Sequence, residues 1–302
     1  MSTSASRSFP PWRARAWCSG ILDRAAVALD FNTLGFAAEE IAALHGLLAQ
    51  TSRLVLVTGP TGSGKTTTLY AALGSVDRQR LKVVTIEDPV EYRLEGVSQV
   101  QVRPQIGFGF ADALRAMLRH DPDVVLVGEI RDAATAEAAA QAALTGHLVL
   151  ATLHTNDAPS AVTRLMDLGL PEYLIASVLR GALAQRLVRS LCTACREPYA
   201  APQPLVERLG LARRAGHGGP ITLHRPRGCP ACGGTGYRGR TAVLQIMTLD
   251  PALRELVLRR ADAGTLGESA AAAGMPSLLE AAQRKALAGT TSIEEVLRVV
   301  GT

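Results

Sequence analysis

The 302-residue sequence predicts an α/β fold built on a mostly parallel sheet, from three observations. First, four short apolar runs, RLVLVT (53–58), KVVTIE (82–87), DVVLVGE (123–129) and HLVLATL (147–153), are separated by helix-like segments, the alternation of a sheet covered on both faces. Second, the chain is 47% hydrophobic but only 4% aromatic and is rich in Ala, Leu and Gly, which favours helix-covered packing over an aromatic-rich β-sandwich. Third, that apolar share beside 20% charged residues excludes disorder as the main state.

The elements follow in chain order. Ile41, Leu44, Leu47 and Leu48 recur at helical spacing between 36 and 50, so one short helix precedes the first strand. The Ala-rich stretch from Asp132 to Leu144 reads as a helix stopped at Gly146, and Glu172 to Arg189 as another. Between Cys192 and Cys232 the chain turns Pro-, Gly- and Arg-rich and cannot build an apolar core of its own. Helices return beyond Leu244, and Ser292 followed by Glu295 has the spacing of a capping box at the last one. The expected units are 1–20 outside the fold, 21–50, 51–190, 191–240 and 241–302.

Several function classes are disfavoured. The longest apolar stretch, Ala136 to Leu153, is interrupted by Gln141, Gly146 and His147, so no membrane span is expected. The net charge of +5 is spread among interspersed signs, and no nucleic-acid partner or polybasic anchor is expected. The Arg- and Ser-rich N-terminus lacks the apolar core of a secretory signal, so the expected location is the cytoplasm.

GPTGSGKT (59–66) follows a predicted strand and opens a predicted helix, the context in which the pattern G-x-x-x-x-G-K-[ST] is a phosphate loop. Gly59, Gly62 and Gly64, with Pro60, Thr61 and Ser63 between them, let backbone N–H groups converge on phosphate oxygens. Lys65 reaches the β and γ phosphates, Thr66 ligates Mg²⁺, and Thr67 continues the helix start, which makes ATP the expected ligand. DVVLVGE delivers Glu129 at a strand end as the candidate catalytic carboxylate; a solvated strand-end charge is the competing reading. Gly128 stands where a metal-holding Asp is usual, so Mg²⁺ depends on Thr66, phosphates and water. TIEDPVEYR brings Glu87, Asp88 and Glu91 toward the same sheet edge, as water-positioning groups or as a plain acidic loop. His147 and His154 flank the last of the four strands, and either is a γ-phosphate sensor or a satisfied core histidine. Cys192/Cys195 and Cys229/Cys232, with 33 residues between the pairs, fit a structural four-thiolate Zn²⁺ site, with redox pairs or free thiols as the alternative; Cys18 is left over.

Taken in order, the phosphate loop, TIEDPVEYR, DVVLVGEIRD and TGHLVLATLHTND resemble the secretion ATPase superfamily, in its type II secretion and type IV pilus assembly branch. They look like its Walker A motif, aspartate box, atypical Walker B motif and histidine box, over about Leu22 to Val300. The four cysteines favour assembly members over retraction members, and GYRGRTAVLQIM is similar to the same branch. The resemblance implies a RecA-like core, a zinc-binding tetracysteine insertion and a helical C-terminal subdomain. It also implies a homo-oligomeric ring, usually a hexamer, that hydrolyses ATP. Such a ring drives an inner-membrane platform protein and pseudopilus assembly while held peripherally at the inner membrane by its partners. Carried across, Lys65 and Thr66 bind nucleotide and metal, Glu129 is catalytic, and Glu87 and His154 support the γ-phosphate side.

One departure accompanies the resemblance. Members carry an N-terminal domain and a half-domain whose arginines reach the nucleotide, whereas here LDRAAVALDFNTLGF (22–36) is similar only to the end of that half-domain. RAWCSG reads like a shifted frame of a segment similar to ARVVLR, so a truncated or frame-shifted relative is expected. Loss of such arginines predicts a rate penalty of roughly 10³ to 10⁵. Arg93, Arg103, Arg115, Arg119 and Arg131 are the candidates to replace them, and a nucleotide-binding but poorly hydrolysing assembly partner is the alternative function.

Overall fold

A computed structural model describes residues 30–49, 53–215 and 219–301. The expectations for 1–20, for Cys18 and for the first part of 22–36 lie outside the described residues. The nucleotide-motif half runs α1 (Ala38–Leu48), β1 (Arg53–Thr58), α2 (Lys65–Gly74), β2 (Val83–Glu87), β3 (Val97–Gln101), α3 (Phe110–Leu118), β4 (Val124–Val127), α4 (Ala133–Leu144) and β5 (Leu148–Leu153). It continues through α5 (Pro159–Asp167), α6 (Glu172–Val178) and β6 (Leu179–Leu191). Then come β7 (Glu197–Ala200), α7 (Gln203–Leu209), α8 (Leu211–Ala215), β8 (Thr222–Arg225) and β9 (Tyr237–Thr248). Four helices close the chain: α9 (Pro251–Leu258), α10 (Ala263–Ala272), α11 (Leu278–Leu287) and α12 (Ile293–Val300).

The fold is mixed α/β, as expected. Seven strands form one sheet in the order β3-β2-β4-β5-β1-β6-β9, with every pairing parallel except β6 with β9. The runs of β1, β2, β4 and β5 are buried almost throughout because helices cover both faces. On one face, residues of α3 to α6, α9 and α10 pack against Leu54, Leu56, Val125, Val127 and Val149. On the other, α1 and α2 pack against Val55, Val57, Leu126 and Leu150. Asp132 caps α4 by accepting from Thr135 N at 2.7 Å, which sets the start of the Ala-rich helix.

Register matters for function. Thr58 pairs with Leu153, Val127 with Ala151 and Ile86 with Val127, so the C-terminal ends of β1, β2, β4 and β5 lie level along one edge of the sheet. The segments that follow these strands therefore emerge together, as parallel sheets require of their ligand-facing loops. β5 lies between β1 and β4. Glu129 thus comes from a strand one removed from the phosphate loop, and the residue after β5, His154, stands between them.

Two expectations are corrected. Glu172 to Arg189 is not one helix: α6 ends at Val178, and Leu179 begins β6 with extended backbone (φ −69°, ψ 130°). The segment LRGALAQRLVRSL mixes apolar and polar residues in a way that a helix pattern also accommodates; pairing with β1 and β9 decides for the strand. Gly181 marks the spot, since a Cβ there would lie 2.8 Å from Met247 O and 2.9 Å from the Leu47 methyls. The second correction is at α12. Ser292 accepts from Glu295 N at 3.2 Å, but the Glu295 carboxylate turns away from the cap to Arg189 and Arg298, whose guanidiniums make stronger charge-assisted bonds.

The cysteine-bearing segment shares its core. Val206, Leu211, Ile221 and Leu223 pack with Val188 and Val243 of the sheet and with Ala282, Ala286, Ile293 and Val296 of the last two helices. Among the described residues no helix is long and apolar enough to cross a membrane.

Candidate functional site

At the level edge of the sheet lies a cleft of about 510 Å³. Thr61 to Thr67 form one wall, and Glu87, Asp88, Glu91, Glu129, Arg131 and His154 face them across it. The four motif segments that the sequence holds apart therefore meet in one cavity.

The loop is shaped by its glycines. Gly59 (φ 148°), Gly62 (φ 78°) and Gly64 (φ 87°) all take backbone conformations that L side chains avoid. Gly64 is the N-cap of α2, so the loop ends on a helix N-terminus with its amide groups and positive dipole end. The Lys65 ammonium donates to Gly59 O at 2.8 Å and Pro60 O at 3.1 Å, bonds that an anion's oxygens can replace. Burial lowers its pKa, while the charge of Glu129 acts in the opposite direction.

Glu129 lies two residues past the end of β4 and is mostly shielded, with 18% of its side chain exposed. His154 Nε2 lies 3.0 Å from Glu129 Oε1, and Arg131 Nε donates to Oε2 at 2.7 Å. The carboxylate is thus oriented by two cations or donors that are themselves largely open to solvent. Gly128 is crowded, since a Cβ would lie 3.1 Å from Ile86 O; a carboxylate-bearing side chain there would press on the neighbouring strand.

Glu87 ends β2 and is 3% exposed. Tyr70 and Thr85 donate their hydroxyls to its two oxygens, and Gln99 Nε2 adds a bond at 3.2 Å. Burial, and then donation to Glu87, raise the pKa of Tyr70, so the phenol stays a donor. Glu87 is accordingly buried at the rim of the cleft, with a donor on each carboxyl oxygen.

The remaining expectations separate. His147 precedes β5 at the far end of the sheet, where its Nδ1 lies 2.8 Å from Ala142 O; it takes no part in the cleft. Of the five candidate arginines only Arg131 lines the cavity, whereas Arg240 of β9, not anticipated from sequence, does so as well. Gln185 and Tyr70 were also missed. Gln185 falls in a stretch read as helix, and the only available signal is the polar pair Gln185–Arg186 inside the otherwise apolar run ALAQRLV.

The second site lies at the far end of the β6–β9 ribbon. Cys192 directly follows β6, and Cys229 and Cys232 precede β9, so antiparallel pairing carries both cysteine pairs to the same end. The Sγ atoms lie 3.9 Å apart for Cys192–Cys229, 3.9 Å for Cys195–Cys232 and 3.8 Å for Cys229–Cys232, with all four within 4.8 Å of one another. A tetrahedron with Zn–S bonds of about 2.3 Å has S···S edges of about 3.8 Å, so the thiols fit that ion. Burial opposes the Cys232 thiolate, but N–H donors of Cys229 and Gly236 and the neighbouring thiols outweigh it and hold its pKa at about 6.

Comparison with known proteins places these features in a family. The type II/IV secretion system protein family matches residues 18–298. A type II secretion system protein E of Xanthomonas campestris pv. campestris is 50% identical over 279 residues, 92% of this chain and 49% of its own. The type IV pilus assembly ATPase PilB of Myxococcus xanthus is 45% identical over 279 residues, with the same two coverages, so the chain spans about half the length of these curated relatives. The solved structure of the pilus retraction motor PilT with bound ADP superposes with a TM-score of 0.61 at 28% identity, covering 89% of this chain and 66% of that one.

Proposed function

Because the chain belongs to the type II/IV secretion system protein family, we propose that it is an ATP-binding, ATP-hydrolysing motor subunit of a type II protein secretion system. The observation that carries this reading is the meeting, in one cleft, of residues 61–67, from the phosphate loop and the start of α2, with the Glu129–His154–Arg131 cluster. A type IV pilus assembly motor is the second reading, favoured by the 45% identity to PilB.

In this reading the loop amides and Lys65 hold the phosphate chain, and the Thr66 hydroxyl binds the Mg²⁺ that accompanies it. Glu129 orients the attacking water and accepts its proton. His154 and Arg131 keep that carboxylate aimed, and the exposed Arg131 is free to exchange its bond for one to a phosphate oxygen. Glu87 serves as a fixed buried charge at the γ-phosphate side. Cys192, Cys195, Cys229 and Cys232 would hold a zinc ion with no open coordination position, whose chemistry is structural. The motor acts as a homo-oligomeric ring, usually a hexamer, in the cytoplasm at the inner membrane, driving a platform protein and pseudopilus assembly.

Calorimetric titration with MgATP tests the core of the proposal. The wild-type chain binds, Lys65→Ala does not, and Glu129→Gln binds with little change while hydrolysis falls by roughly 10²- to 10⁴-fold. Equal affinity of the wild type and Lys65→Ala would overturn the reading.

A further inference from the structure

Gln185 belongs to no motif, yet it is the side chain on which the phosphate loop rests. It lies midway along β6, 2% exposed, with its carboxamide wedged between the loop and α2. Its Nε2 donates to Ser63 O at 2.8 Å, and its Oε1 accepts from the Thr68 hydroxyl at 2.7 Å. The amide orientation is unambiguous: a backbone carbonyl only accepts, so nitrogen faces Ser63, and the remaining oxygen meets a hydroxyl able to donate.

The consequence follows from peptide geometry. The Ser63–Gly64 peptide is planar and trans, so its C=O and N–H point in opposite directions. Anchoring Ser63 O on the β6 side aims the Gly64 N–H away from β6, toward the cleft that Gly64 lines. Two glycines accommodate the same neighbour. A Cβ on Gly64 would lie 2.9 Å from Gln185 Nε2, and one on Gly59 would lie 2.5 Å from Gln185 O. Gly64 is therefore matched to the Gln185 side chain, and Gly59 to the β6 backbone at the same position.

We propose that Gln185 is a positioning residue for nucleotide binding, one that orients the Ser63–Gly64 peptide so that its N–H meets the phosphate chain, with Thr68 setting the orientation of the glutamine amide. The proposal rests on the reading of the cleft as a MgATP site. Removal of Gln185 leaves Ser63 O buried and unpaired, and its peptide is then free to rotate out of the binding geometry.

The test measures the Kd of MgADP by calorimetry and the urea midpoint for the wild type, Lys65→Ala, Gln185→Leu, Gln185→Glu and Thr68→Val. The expected result is that Gln185→Leu raises Kd about tenfold or more in protein that is still folded. Gln185→Glu, which keeps the acceptor for Thr68 but loses the donor to Ser63, is at least as weak, and Thr68→Val raises Kd a few-fold. A glutamine that only stabilises the fold lowers the midpoint and leaves the Kd of the folded protein within twofold of wild type, which overturns the proposal. Should the Gln185 variants fail to fold, Thr68→Val decides in the same way, a few-fold rise supporting it and an unchanged Kd refuting it. Failure of the wild type to bind, or equal binding by Lys65→Ala, refutes instead the reading of the cleft on which the proposal stands.

Discussion

Glu295→Gln is the sharpest structural test of how the C-terminal helices are held to the sheet. The carboxylate is 1% exposed and is bonded by Arg189 Nε and Nη2, by Arg298 Nε and Nη2, and by the backbone N of Arg189. Burial works against the ionised form, but the two guanidiniums and the backbone donor outweigh it and hold the pKa at about 2, against an ordinary value of 4.5. The folded-state pKa is depressed, so the stabilisation is fully present above about pH 4.5 and is lost as pH falls toward 2. At neutral pH the shift corresponds to about 3 kcal/mol, and linkage reduces it to less than half of that by about pH 3. Urea unfolding of the wild type and Glu295→Gln at a series of pH values reads this directly. The difference between them should be flat from pH 7 to 5 and shrink below that. A difference that stays constant down to pH 3, or is absent at pH 7, would show that the ion pairs contribute no net stability.

Two further outcomes are expected. Purified chain should carry about one zinc, and Cys229→Ser should lose it to a chelator concentration that the wild type withstands, with enhanced proteolysis between 192 and 236; unchanged metal retention would refute the four-thiolate assignment. Tyr70→Phe removes a hydroxyl donor from the buried Glu87 and should cost about 2 kcal/mol in urea unfolding, because the lost bond is to a charged group; a cost below about 0.5 kcal/mol would mean that Thr85 and Gln99 suffice to satisfy the carboxylate.

Much of this chain is legible before folding is considered. The phosphate loop, the strand ahead of it, the strand end bearing Glu129 and the paired cysteines are local patterns, because each depends on backbone conformation or ligand spacing within a few residues. The strands β1, β2, β4 and β5 and the helices α1 and α4 are equally readable from their apolar patterning and end signals. β6 was not: its residues satisfy a helix pattern until β1 and β9 pair with it from both sides. β3 escaped as well, since an edge strand demands little apolar signal, and so did β9, whose buried run AVLQIM fits a helix as readily as a strand until it pairs with β6.

What required the tertiary structure is everything that joins distant segments. The level ends of four strands bring Lys65, Glu87, Glu129 and His154 to one cleft, exclude His147 and all but one of the anticipated arginines, and add Arg240. The burial of Gln185 under the phosphate loop and the turning of Glu295 from its cap to Arg189 arise only when β6 is in place. Sequence by itself determined which groups this protein can use, because residue chemistry and backbone preference are local. Only the fold decided which of them meet, because strand order and register are set by pairings between residues far apart in the chain.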